Sequence, residues 1–136
     1  MNTITRSPIV LRRPHFVALA LVTIGAGLVV HYRGELLGDA ARDMIGDALW
    51  AMMMAWWVGA IARHSRPVTR GAIALAVSFA VELSQLIHPP AFDRARASTI
   101  GHLVLGSGFD PRDLVSYTLG VVAAVLIERA LHRRGS

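Results

Sequence analysis

Four apolar blocks alternate with short polar connections along the chain. Phe16 to Val30 is the first. Tyr32 follows it at the position of a membrane interface, and a helix over roughly 14–32 is expected. The block is short and resembles a signal-peptide core, but no small-x-small cleavage site precedes His31, so a retained helix is expected. Met44 to Ala62 is the second block, predicting a span over 44–62. Gly71 to His88 is the third, predicting 71–88, closed by Pro89 and Pro90, which cannot continue a helix. The fourth runs over roughly 111–131. Its start carries a full set of signals: Phe109 at N′, Asp110 at the N-cap, Pro111 at N1, Asp113 at N3 and Leu114 at N4. Between the third and fourth blocks, Ile100 to Leu105 is apolar but far below the ~20 residues a crossing needs. Arg96 to Leu105 is therefore expected as a short interfacial or re-entrant helix, ended by Gly106-Ser107-Gly108. The predicted fold is all-α: a single transmembrane domain over 1–136, a bundle of four membrane-spanning helices.

Composition agrees with that class. Of 136 residues, 54% are hydrophobic and 17% charged, more apolar than an ordinary soluble domain. There is no Cys, which excludes disulfides and thiolate metal sites. The net charge of +5 raises the question of nucleic acid, but the Arg residues lie in short clusters between apolar blocks and form no basic face with aromatics. They report topology instead. Arg6, Arg12, Arg13, Arg63, Arg66, Arg70, Arg129, Arg133 and Arg134 fall on the side of the termini. Arg33, Arg42, Arg94, Arg96 and Arg112 fall on the other. Nine against five places both termini in the cytoplasm. A multi-pass protein of the bacterial inner membrane is expected, with membrane lipids as partners, no nucleic acid, and homo-oligomerisation left open.

Polar residues then gather at one end. Ala74, Ser78 and Glu82 are spaced by four, and Gln85 follows by three, so they share a helical face. Small residues on such a face let a second helix approach closely. Asp47, Ala51, Ala55 and Gly59 repeat the pattern in the second block, and Ser116, Gly120 and Ala124 in the fourth. With four spans, Asp47, Glu82, Gln85 and Asp113 all come to the extracytoplasmic end, with Tyr117 one turn below Asp113 and Arg96 in the loop above. A carboxylate at membrane depth is costly and usually faces protein or water. Glu82 therefore reads in two ways: as an ion-pair partner of Arg94 or Arg96, or as a proton-carrying or head-group-binding carboxylate. Asp47 and Asp113 also read in two ways: as first-turn acids favoured by the helix dipole, or as lining of the same site. His88 and His102 lack any metal-ligand spacing, and Ser84, Ser98 and Ser107 offer no nucleophile elbow, so neither a metal nor another cofactor is expected.

Several of these stretches resemble a family of small bacterial membrane proteins, domain of unknown function 2809. They are Gly46-Asp47-Ala48-Leu49-Trp50-Ala51, Val81-Glu82-Leu83-Ser84-Gln85, Arg96, Gly101 to Gly106, Phe109, and Asp113 to Gly120. More distantly the chain is similar to VanZ-like proteins, which are associated with glycopeptide-antibiotic resistance. Their pattern places Glu and Gln at the end of one span, an Arg in the loop, then Asp, Asn four residues on and Gly seven residues on. Asp113 and Gly120 fit it, whereas Tyr117 stands where that pattern has Asn. Neither resemblance implies a particular reaction. Three function classes follow from the polar site: a protein that binds an anionic lipid or envelope component, a membrane-embedded enzyme acting on a lipid-linked substrate, and a small oligomeric transporter.

Overall fold

The computed structural model describes residues 11–106 and 108–133. Arg6, Arg134 and Ser107, which enter the sequence reading above, lie outside the described residues. The chain forms α1 (Arg13–Arg33), a 3-10 turn (Gly34–Leu37), α2 (Asp39–Ile61), α3 (Pro67–Ser84), α4 (Pro90–Arg96), α5 (Thr99–Leu105) and α6 (Pro111–Arg133). Four of these, α1, α2, α3 and α6, are long and apolar enough to cross a membrane. Proline opens α3, α4 and α6, where its fixed φ suits the first turn and its missing N–H is not needed. Gly38 and Gly106 take positive φ, at 75° and 68°, in the turns that precede α2 and follow α5.

The boundaries depart from the apolar blocks. α2 begins at Asp39, so Asp47 lies more than two turns inside the helix. The helix dipole fades beyond the first turn, so it does not account for an acid there. α3 ends at Ser84; Gln85 is its C-cap, and the chain tightens through Leu86 and Ile87 in i→i+3 bonds before Pro89. The segment before α6 holds two short helices rather than one. Ser98 separates them: its backbone is extended and its Oγ accepts the Gly101 N–H at 3.0 Å, capping α5.

Small residues form the seams, as packing in lipid requires. Ala51, Ala55, Ala74 and Ala124 are all buried. Gly120 of α6 lies against the backbone of Ala48 in α2, so no side chain fits there. Gly59 of α2 faces the ring of Phe16 in α1, and Gly71 of α3 faces Val121 and Val125 of α6. The apolar side chains turned outward, such as Val22, Leu119 and Leu126, are those a bilayer would cover. Trp56 is only 2% exposed, and its indole N–H donates to Thr23 Oγ of α1 at 3.1 Å.

At the end of the bundle away from α4 and α5, Arg70 is buried and pairs with Glu128 of α6. Its guanidinium also donates to the carbonyls of Arg63 and Ser65 and lies 5.2 Å from the centre of the Phe16 ring. Arg70, one of the arginines counted on the side of the termini, thus ties α3, α6, α1 and the α2–α3 turn together.

Candidate functional site

Glu82 is fully buried at the other end of the same α3 face. Its carboxylate has three donors. The Asp110 backbone N–H reaches Oε1 at 2.8 Å; the Tyr117 hydroxyl and the Gln85 amide each reach Oε2 at 2.9 Å. Asp110 caps α6, its Oδ1 accepting the Arg112 N–H at 2.9 Å. Glu82 takes the N–H of that cap residue itself, so α3 supplies an acceptor to the start of α6.

Among the described residues, no arginine takes part. Arg96, the last residue of α4, donates to the Ser84 carbonyl at 3.0 Å and to the Ile87 carbonyl at 3.4 Å, and lies 3.5 Å from Asp93. It donates to carbonyls at and just beyond the end of α3, that of Ser84 also accepting the Ile87 N–H. Arg94 makes no ion pair among the described residues. Of the two readings of Glu82, the ion pair with Arg94 or Arg96 is therefore not formed; among the described residues three uncharged donors stand in its place, two of them from α6 and its cap.

Beside this cluster lies a cavity of about 660 Å³. Asp47, Gln85, Asp113 and Tyr117 line it, whereas Glu82 sits behind them and Arg96 belongs to a separate, smaller hollow under α5. The six residues singled out in the sequence thus divide: four on the cavity wall, one supporting it, one outside. The Asp47 and Asp113 carboxyl groups, on α2 and α6, face the same cavity. Trp50, one turn beyond Asp47, also lines the cavity; its ring lies 5.7 Å from that of Tyr117. Its position three residues from Asp47 was visible in the sequence, but it reads there as an interfacial or packing aromatic.

Further wall comes from α1, with Ile24, Leu28 and His31, and from α5, with His102 and Leu103. Asp43 and Asp110 add two more carboxylates. Among the described residues, Arg42 is the one arginine on the wall, and it is engaged with Asp39 at 3.2 Å and Asp43 at 4.0 Å. Among the described residues, two fully enclosed polar atoms of wall residues, Gln85 Oε1 and the Trp50 indole nitrogen, have no hydrogen-bond partner. Among the described residues, no three His, Asp or Glu side chains are placed to hold a metal ion.

No solved structure matches the chain. Residues 36–121 match the family described as "Protein of unknown function (DUF2809)". That stretch runs from the turn before α2 to the middle of α6 and contains Asp47, Glu82, Gln85, Arg96, Asp113 and Tyr117. The match spans well over half of the sequence, and the chain belongs to the DUF2809 family.

Proposed function

We propose that this protein is a non-catalytic receptor for an amphiphile, held with its polar end in the cavity between α1, α2, α5 and α6. The mixed lining of the cavity carries this reading. Its lining combines the polar Asp47, Gln85 and Asp113 with the apolar Ile24, Leu28, Met53 and Leu103. The volume lies within the ~300–1,000 Å³ usual for small-molecule sites. An anionic head, the first expectation from sequence, is disfavoured: among the described residues four aspartates line the cavity, and the one arginine there already has carboxylate partners.

The arginine asymmetry supports an inner-membrane orientation with both termini cytoplasmic and the cavity at the extracytoplasmic end. Reporter fusions at Ser65 and after the last residue are expected to read cytoplasmic, and one at Phe92 external. An external carboxyl terminus would reverse the placement.

Ligand binding is tested by native mass spectrometry of the protein after delipidation and incubation with total bacterial lipid extract. One amphiphile retained per chain is expected. Gly46→Leu should abolish retention, since Gly46 lines the cavity and a Cβ built there meets nothing within 4 Å. It also favours the helix, because Leu is a better helix former than Gly. Unchanged retention in Gly46→Leu would remove the cavity as the binding site. A chemically altered amphiphile released over time would show an enzyme instead.

A further inference from the structure

We infer that the cavity is filled from the side, taking an acyl chain of a membrane lipid from the leaflet at the α5 end, between α1 and the α3–α6 pair. The inference rests on the ligand-binding reading above and names the ligand's class and its route.

The lining changes character with depth along the helices. On α2 it begins at Arg42, Asp43 and Asp47 and ends at Leu49, Trp50 and Met53. On α1, His31 stands near the helix end, and Leu28 and Ile24 lie below it. On α6, Asp113 comes first and Tyr117 one turn deeper. Two of the deep residues carry hydroxyls, and both are engaged within the protein: Thr23 donates to the Leu19 carbonyl at 2.7 Å, and Tyr117 to Glu82 at 2.9 Å. At 1.5 Å per residue, roughly 16 Å of helix separate Arg42 from Met53. One leaflet's share of a ~30 Å hydrocarbon core is close to that, about 15 Å. From its charged end to its apolar end, the cavity repeats the order of environments that a lipid has in a single leaflet.

Helix packing leaves one side of this space open. α1 packs along α2, whereas α3 and α6 pack on α2 and on each other; among the described residues, α1 has no comparable packing with α3 or α6. Phe16 joins α1 to Arg70 at the far end of the bundle. Toward the α5 end, no residue of α1 beyond Thr23 is buried. The lining there is apolar and open: Leu28 is 42% exposed, and Ile100 of α5 is 76% exposed. Gly27 of α1 and Gly46 of α2 also line the cavity, and a Cβ built on either meets nothing within 4 Å. Gly59, Gly71 and Gly120, in the packed seams, all abut a neighbour. Apolar cavities stay dry and take apolar guests. On a membrane-spanning helix the guest at hand is a lipid chain, which passes from the bilayer to the cavity without crossing water.

The test reads Trp50, which lines the cavity, in the full-length protein reconstituted in phosphatidylcholine brominated on its acyl chains. Bromine quenches tryptophan on contact, and the Trp50 share of the emission is the difference between the unchanged protein and Trp50→Phe. That share is expected to fall by about half or more in brominated bilayers relative to unbrominated ones, and iodide in the water is expected to leave it unquenched. Gly46→Leu and Gly27→Leu fill the cavity from different helices, and each is expected to protect Trp50 from bromine; melting temperatures report that the variants fold. Bromine quenching that persists equally in the filled variants shows only bulk lipid around the bundle and overturns the inference. Absence of bromine quenching in the unchanged protein overturns it without need of either variant, and iodide quenching in its place shows a cavity filled with water. If native mass spectrometry then still finds an amphiphile that Gly46→Leu loses, the ligand-binding reading stands without the lateral route. If it finds none, both fall.

Discussion

Glu82→Ala is expected to destabilise the protein by about 2–5 kcal/mol. The substitution leaves the Asp110 N–H, the Tyr117 hydroxyl and the Gln85 amide without their shared acceptor. Side-chain hydrogen bonds between helices in a membrane are worth roughly 0.6–1.7 kcal/mol each, and three are lost together. Glu82→Gln keeps one acceptor oxygen and should recover part of the loss. Adding Arg96→Ala to Glu82→Ala should bring no rescue, because Arg96 holds the end of α3 and shares no bond with Glu82. Thermal unfolding in detergent measures all three variants. A double variant more stable than Glu82→Ala would show that the two side chains are partners after all.

Arg70→Ala is expected to cost about as much or more, roughly 3–5 kcal/mol, because it leaves Glu128 charged and buried without its guanidinium. His132, whose Nε2 lies 3.5 Å from Glu128, offers only a half-exposed substitute. Replacing both members by apolar residues, as in Arg70→Met with Glu128→Leu, should restore most of the stability, since buried ion pairs are often matched by well-packed hydrophobic residues. If the double variant were as unstable as the sum of its single changes, the loss would belong to the bonds of Arg70 with the carbonyls of Arg63 and Ser65 instead.

The spanning helices were legible because each apolar block is long enough to read without knowing its neighbours. Their ends were less so. An apolar block marks where a helix meets lipid, not where its hydrogen bonds stop, and α2 continues upstream through Asp39, Arg42 and Asp43. The stripes of small residues were legible as faces, and Gly59, Gly71 and Gly120 show why: each abuts a neighbour with no room for a side chain.

The partners of the polar groups were less legible. Charge complementarity points Arg96 at Glu82, but the main donor to Glu82 Oε1 is a backbone N–H, which every residue except proline has and which leaves no mark in the sequence. Arg96 likewise finds backbone carbonyls. Glu128 drew no attention because it stands among Arg129, His132 and Arg133 at an evidently basic end. A signal was present, however. Arg70 extends the series Ala74, Ser78, Glu82 by one step of four, and Glu128 extends Ser116, Gly120, Ala124 in the same way.

The helices that carry those two series are antiparallel and are fastened at both ends, Glu82 to Tyr117, the neighbour of Ser116, and Arg70 to Glu128. The two fastenings are roughly 18 Å apart along α3 at 1.5 Å per residue. A slip of α6 by one helical turn, ~5.4 Å, would strand a carboxylate at each end simultaneously. The pair has a single vertical alignment, and α3 and α6 behave as one strut. Asp113 and Gln85 ride on that strut, so the depth of the polar wall is set by the alignment itself.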